Sequence, residues 1–105
     1  MQVIQEKEHT RLLAEEDFLV TNANRLQLEL IEALEAIDNP KVILDLTEIT
    51  RMDSIGIKLV LGLLKSCEQK NFLLEVEVSS SSILKLFHLC KLGQLLNIRE
   101  VVVNE

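Results

Sequence analysis

At 105 residues the chain has room for one hydrophobic core and one domain. With 48% hydrophobic and 27% charged residues, 3 glycines and 1 proline, it is neither disordered nor of low complexity. Acidic residues (17) outnumber basic ones (11), and the net charge of -6 repels phosphate backbones and anionic membrane surfaces. Aromatic content is 3%, all of it Phe, which leaves no Trp or Tyr for base stacking or a membrane-interface belt, so neither nucleic acid nor direct membrane insertion is expected.

The segment Met1 to Lys7 has no basic start or apolar run, so no secretory signal is expected. Thr10 to Val20 reads as a first extended region, interrupted by Glu15, Glu16 and Asp17. From Asn22, the residues Ala23, Leu26, Leu30, Leu34 and Ile37 recur every three or four positions and predict an amphipathic helix. Thr21 or Asn22 is placed to cap it, and Asp38, Asn39 and Pro40 to end it. Val42, Ile43, Leu44 and Leu46, broken only by Asp45, predict a short central strand covered on both faces. A second helix is expected from Ser54, with Ile57, Val60, Leu61, Leu64 and Cys67 on its buried stripe and Gly62 allowing close packing. Its most apolar stretch, Ile55 to Leu64, contains Lys58 and falls far short of the roughly 20 residues a membrane span requires, consistent with a cytoplasmic protein.

Phe72 to Val78 predicts the next strand, Ile83 to Lys91 a third helix capped by Ser80, Ser81 or Ser82, and Val101 to Val103 a final strand. Alternating strands and helices place the chain in the α/β class, with a mixed central β-sheet and helices packed on it, in a single domain over 1–105. Cys67 and Cys90 each fall in an apolar helical pattern outside any C-x-x-C pair, which predicts buried, reduced thiols.

Catalytic patterns are absent: there is no G-x-S-x-G, phosphate-binding G-x-x-x-x-G-K-[ST], H-E-x-x-H or G-x-G-x-x-G. His9 and His88 lie far apart, and the spacing of Asp45 and Asp53 does not set them across a substrate, so no enzyme, metal or cofactor is expected. The segment Met52-Asp53-Ser54-Ile55-Gly56-Ile57 differs, because a hydroxyl arrives where a helix begins with unpaired N–H groups and partial positive charge. Two readings fit the local pattern. Either Ser54 caps the helix while Asp53 favours its positive end, or Ser54 is a regulatory phosphorylation site.

The order Val42-Ile43-Leu44-Asp45-Leu46, a short loop, then Met52-Asp53-Ser54-Ile55-Gly56 and a helix resembles STAS domains, specifically the bacterial anti-sigma factor antagonists, whose pattern is strand, D-S-[ST]-G turn and helix. Ile83 to Ile98, with Leu86-Phe87 and Gly93, is similar to that family's closing helix, so the resemblance runs from about Ala23 to the C-terminus. The family's G-E-[LIV]-D before the first helix is replaced. A reading without gaps sets Glu16, Asp17, Phe18 and Leu19 there, and a gapped one keeps Asp17 with Ala14 in place of glycine. Ile55 stands where the family has a second hydroxyl, leaving Ser54 as the single acceptor, with Thr50 the nearest other candidate.

The resemblance implies an anti-sigma factor antagonist. Its unphosphorylated form would bind a histidine-kinase-like anti-sigma factor that is also a serine kinase, and so release a sigma factor. Phosphorylation of Ser54 would block binding, and a PP2C-type phosphatase would reverse it. The implied partner surface comprises Thr50, Arg51, Met52, Asp53, Ser54, Ile55, Gly56 and Lys58, with Arg51 and Lys58 flanking the serine with positive charge. The resemblance also fits a constitutive STAS adaptor subunit of an ABC lipid-transport system, or a signalling scaffold.

Overall fold

The computed structural model describes residues 1–102. Five strands, β1 (Gln2–Gln5), β2 (Thr10–Leu13), β3 (Lys41–Leu46), β4 (Leu73–Val78) and β5 (Asn97–Glu100), form one sheet in the order β1-β2-β3-β4-β5. The β1–β2 hairpin is antiparallel and every other pair is parallel, which makes the sheet mixed. Helices α1 (Ala23–Glu35), α2 (Ser54–Gln69) and α3 (Ser81–Leu89) join successive parallel strands. Three crossovers stepping in the same direction with the same hand bring all three helices to one face. The core shows this directly: its strand residues Leu12, Val42, Leu44, Leu46, Leu74, Val76 and Val78 alternate along the strands and share one cluster with Leu26, Leu30, Val60, Ile83 and Phe87 of the helices.

The central position of β3 agrees with the expectation, but its second face carries no helix. Ile43 and Asp45 are buried there, flanked across the sheet by Arg11 and Glu75, and by Leu13 and Glu77. The Arg11 guanidinium reaches Asp45 at 2.9 Å and Glu77 at 2.5 Å. Burial opposes its charge, but hydrogen bonds to Glu77, Glu6 and Asp45 outweigh this and raise its pKa above the ordinary guanidinium value. Long ionic side chains lying over the sheet therefore cover Ile43, with their stems as the apolar cover.

Several boundaries differ from the sequence reading. The first extended region divides: the strand is Thr10–Leu13, Gln2–Gln5 is a further strand, and the chain beyond Leu13 turns into a loop at the end of the sheet. Helix α1 ends at Glu35, so buried Ile37 belongs to the core but lies past the helix. Neither proposed cap bonds its amides. Asn22 instead sends its Nδ2 to the Asp17 carbonyl at 2.9 Å, and a 3-10 turn at Val20–Asn22 leads into the helix.

On α2 the buried stripe is Gly56, Ile57, Val60, Leu63 and Cys67, while Leu61 and Leu64 are only partly buried. Gly62 faces open space rather than a close neighbour. Asn71, with φ of 61°, closes the helix in the left-handed region that Asn tolerates, and Phe72 N donates to Cys67 O at 2.8 Å. Ser80 caps α3, accepting from Ile83 N. Cys67 is buried, and burial pushes its thiol up to about 11; Cys90 is exposed, contrary to expectation, because α3 ends one residue earlier. The final strand is Asn97–Glu100, before the expected Val101 to Val103; Val101 and Val102 lie outside it, and Val103 lies outside the described residues.

Candidate functional site

The site lies where β3 ends and α2 begins, and it is assembled from three loops. After β2 the chain runs through Ala14 to Asp17, whose carboxylate faces the β3–α2 loop: Oδ1 accepts from Thr50 N at 3.0 Å and Arg51 N at 3.2 Å, and Oδ2 from Arg51 Nε at 3.2 Å. These bonds, the one from the Thr50 amide foremost, hold the Asp17 carboxyl below the ordinary carboxylate range. The next residues pair as a parallel bridge between Phe18 and Met52, with Phe18 N donating to Arg51 O and Asp53 N to Phe18 O, each at 3.2 Å.

Asp53 completes the join. Its Oδ1 accepts from Ile55 N and Gly56 N at 3.0 Å each, which caps α2, and its Oδ2 accepts from Val20 N at 2.8 Å. The Val20 amide is the main cause of its lowered pKa, followed by the amides of Gly56 and Ile55. Gly56 is required by this crossing. A Cβ there would collide with the Phe18 carbonyl oxygen and lie 2.7 Å from Met52 Cγ and 2.9 Å from Phe18 Cβ. A third loop holds the other side, where Ser80 and Ser82 both donate to Thr50 O, at 3.3 and 3.1 Å, and Ser79 donates to Thr47 O at 2.6 Å.

Ser54 is the first residue of α2 and is exposed. Asp53, not Ser54, is therefore the cap. Among the described residues the Ser54 hydroxyl makes no hydrogen bond, while the carboxylates of the site, Asp17 and Asp53, each accept three. Thr50, Arg51 and Lys58 are exposed, Met52, Asp53 and Ile55 partly buried, and Gly56 buried. The structure thus brings the predicted residues together, with two adjustments. Arg51 is held against Asp17 and offers less free charge than expected, and Gly56 supports the site from beneath rather than facing outward.

Two grooves lie nearby, one along the middle of α2 and one beside the β3–α2 loop. One, of about 180 Å³, runs between α1 and α2 and is lined by Leu30, Ile31, Lys58, Leu59 and Gly62 among others. The other, of about 400 Å³, is lined by Leu19, Arg51, Met52, Ile83, Lys85, Leu86 and Leu89. Sequence reasoning gave no role to Phe18, Ser80 or Ser82 in this site and matched Asp17 to the family's aspartate only in the gapped alignment. Asp17 had a signal, a carboxylate among residues preceding the first helix; Phe18 had none, because its contribution is made by backbone atoms.

The rim is tied together by hydrogen bonds between three loops and leaves the Ser54 hydroxyl exposed, in a small α/β domain. The chain belongs to the STAS domain family, whose model matches residues 2–104, including the N-terminal stretch that the sequence resemblance did not cover.

Among solved structures, a candidate anti-sigma factor antagonist from Thermotoga maritima superposes with a TM-score of 0.84 at 14% identity, over 97% of this chain and 86% of that one. An anti-sigma factor antagonist from Mycobacterium paratuberculosis gives 0.80 at 15% identity, covering 92% and 81%. The Bacillus cell fate determinant SpoIIAA in its phosphorylated form gives 0.69 at 18% identity, covering 96% and 90%. No curated protein matches the sequence significantly. No helix among the described residues is long and apolar enough to cross a membrane.

Proposed function

We propose that the domain is a cytoplasmic anti-sigma factor antagonist that acts by binding rather than catalysis and is switched at Ser54. The observation that carries this reading is the unengaged, exposed hydroxyl of Ser54 on a loop fixed by Asp17, Asp53 and the Phe18–Gly56 crossing. Its fold likeness to antagonists supports the same reading, and one of them, the anti-sigma factor antagonist SpoIIAA, is solved in a phosphorylated and an unphosphorylated form.

In the unmodified state a neutral hydroxyl enters a packed interface with a histidine-kinase-like anti-sigma factor at little desolvation cost. Phosphorylation by that partner's serine-kinase activity adds about -1.5 to -2 charges. Two of the first amides of α2, Ile55 N and Gly56 N, already donate to Asp53, and the Asp53 carboxylate adjoins the added charge and opposes it. The phosphate stays in water, and docking would have to desolvate it. A loss of about 3 to 4 kcal/mol lowers affinity several hundredfold, enough to decide a stoichiometric competition for the partner. A PP2C-type phosphatase would reset the switch.

Incubation with the cognate kinase and ATP should label the wild type and leave Ser54→Ala unlabelled, and Ser54→Asp should fail to bind the anti-sigma factor in calorimetry. Binding of Ser54→Asp as tight as wild type would overturn the switch and favour a constitutive adaptor.

A further inference from the structure

The two edges of the sheet differ. Edge strand β5 carries Arg99 and Glu100, the kind of charge that discourages pairing with another chain. Edge strand β1 is Gln-Val-Ile-Gln, uncharged, without proline or bulge, exposed along its whole length, and its Val3 and Ile4 are 46% and 36% exposed. Its backbone geometry follows from the hairpin. Glu6 N donates to His9 O at 2.9 Å, so in the β1–β2 register the hydrogen-bonded pairs are Ile4–Arg11 and Gln2–Leu13. The N–H and C=O groups of Val3 and Gln5 therefore point away from the sheet.

We propose that this edge pairs with the same edge of a second copy, antiparallel about a two-fold axis through Ile4. Only a register that matches outward residues with outward residues satisfies the ladder, and the one centred on Ile4 pairs Val3 with Gln5 of the second copy and Gln5 with Val3. That makes four interchain backbone hydrogen bonds. Ile4 then meets its own counterpart in a non-hydrogen-bonded pair, where side chains approach most closely, and its exposed surface is covered.

The flanking residues complement one another. Gln2, whose Nε2 donates to Glu15 at 3.4 Å within the chain, falls opposite Glu6, a carboxylate whose Oε1 accepts from Arg11 at 2.8 Å. Lys7 falls opposite Met1, whose ammonium lies 3.2 Å from Glu15 and 3.6 Å from Glu29, so two cations there share two carboxylates. The result is a continuous ten-stranded sheet, built from surfaces outside the Ser54 site. The patch is small, so the dimer forms at high micromolar to millimolar concentration.

The test is sedimentation velocity on the full chain from micromolar to millimolar concentration, with amide hydrogen exchange of the wild type over the same range. Wild type should pass from monomer to dimer, and the Val3 and Gln5 amides should gain protection with concentration while the Ser54 loop does not. Ile4→Lys, which sets two like charges at the axis, should weaken association about tenfold or more while the thermal melt is unchanged. A wild type monomeric at millimolar concentration would overturn the proposal. So would a dimer that Ile4→Lys leaves intact, or concentration-dependent protection at residues other than Val3 and Gln5. If Ile4→Lys does not fold, the exchange pattern of the wild type decides alone.

Discussion

On the helix-covered face of β3, Val42, Leu44 and Leu46 are buried among aliphatic side chains. On the opposite face Ile43 and Asp45 are just as hidden, but beside Arg11, Glu75 and Glu77. One six-residue strand thus serves two kinds of interior. The covered face gains from apolar area removed from water, and the buried Thr10 hydroxyl at its edge is satisfied by Gln5 Oε1 at 3.0 Å. The open face hides its apolar residue under an ionic lattice in which Arg11 bridges Glu6, Asp45 and Glu77 while Arg99 reaches Glu77 at 3.7 Å. Each face should therefore fail differently. Deleting a side chain from the first leaves a cavity, and deleting the cation from the second leaves buried like charges.

The largest effect belongs to the covered face. Phe87, fully buried where α3 meets the sheet, should cost about 3 to 5 kcal/mol on replacement by Ala, read from urea denaturation. A loss below that of a typical surface substitution would mean that α3 does not pack as described. On the open face, Arg11→Met strands Asp45 and Glu77. Breaking a buried ion pair costs about 3 to 5 kcal/mol, and the partial exposure of Arg11 together with support from Arg99 lowers the expectation to roughly 2 to 3 kcal/mol. The same variant carrying Asp45→Asn and Glu77→Gln should regain most of the loss. Without such recovery, Arg11 acts through the packing of its stem over Ile43 rather than through its charge.

These two faces also separate what the sequence made legible from what it did not. The apolar run in β3 marked a buried strand, but periodicity cannot distinguish cover by a helix from cover by neighbouring long side chains, since that depends on the handedness of three successive crossovers. On α2 the helix itself was evident, while the stripe was placed slightly wrongly. Leu64 fits a 3.6-residue wheel beside Ile57 and Val60 as well as Leu63 does, and the packing against α1 and the sheet buries Leu63, which is 3% exposed, instead.

At the site, the helix start and the exposed serine were readable because they are local. The Phe18–Met52 bridge and the reach of Asp17 to Thr50 and Arg51 were not, since they join residues more than thirty positions apart through backbone groups that carry no side-chain signature. Gly56 follows the same logic: its need for glycine comes from a carbonyl on another loop. Gly56→Ala should therefore destabilise by about 1 to 3 kcal/mol although the position is helical, where Ala is otherwise preferred over Gly. A stabilised Gly56→Ala would show that the loops can separate at no cost.

The carboxylates of this rim respond to acid in a defined sense. Amides of Thr50 and Arg51, with the Arg51 side chain, lower the pKa of Asp17; amides of Val20, Gly56 and Ile55 lower that of Asp53. A depressed folded-state value means that their stabilisation is complete above the unfolded carboxylate value, near about 4, and is lost as pH falls through the lower folded values. Asp53→Asn and Asp17→Asn should each lower the melting temperature at neutral pH and by less in strong acid, which flattens the acid limb of the melting curve. Equal losses at both pH values would assign the effect to packing instead.

The smallest expected change in stability is at the residue with the largest expected change in binding. The Ser54 hydroxyl is exposed and makes no hydrogen bond among the described residues, and the cap it could have supplied is provided by Asp53. Ser54→Ala should therefore alter stability by less than about 0.5 kcal/mol, the range of ordinary surface substitutions. Ser54→Asp adds a charge beside Asp53 at the first turn of α2, where the helix dipole favours it and Asp53 opposes it, so its net effect on folding should also be small. Both proteins should melt with the wild type while differing sharply in partner binding, with Ser54→Ala retaining it and Ser54→Asp losing it. If Ser54→Ala unfolded the domain, the hydroxyl would be part of the helix start after all, and the separation between a rim that holds the loop and a serine that signals would collapse.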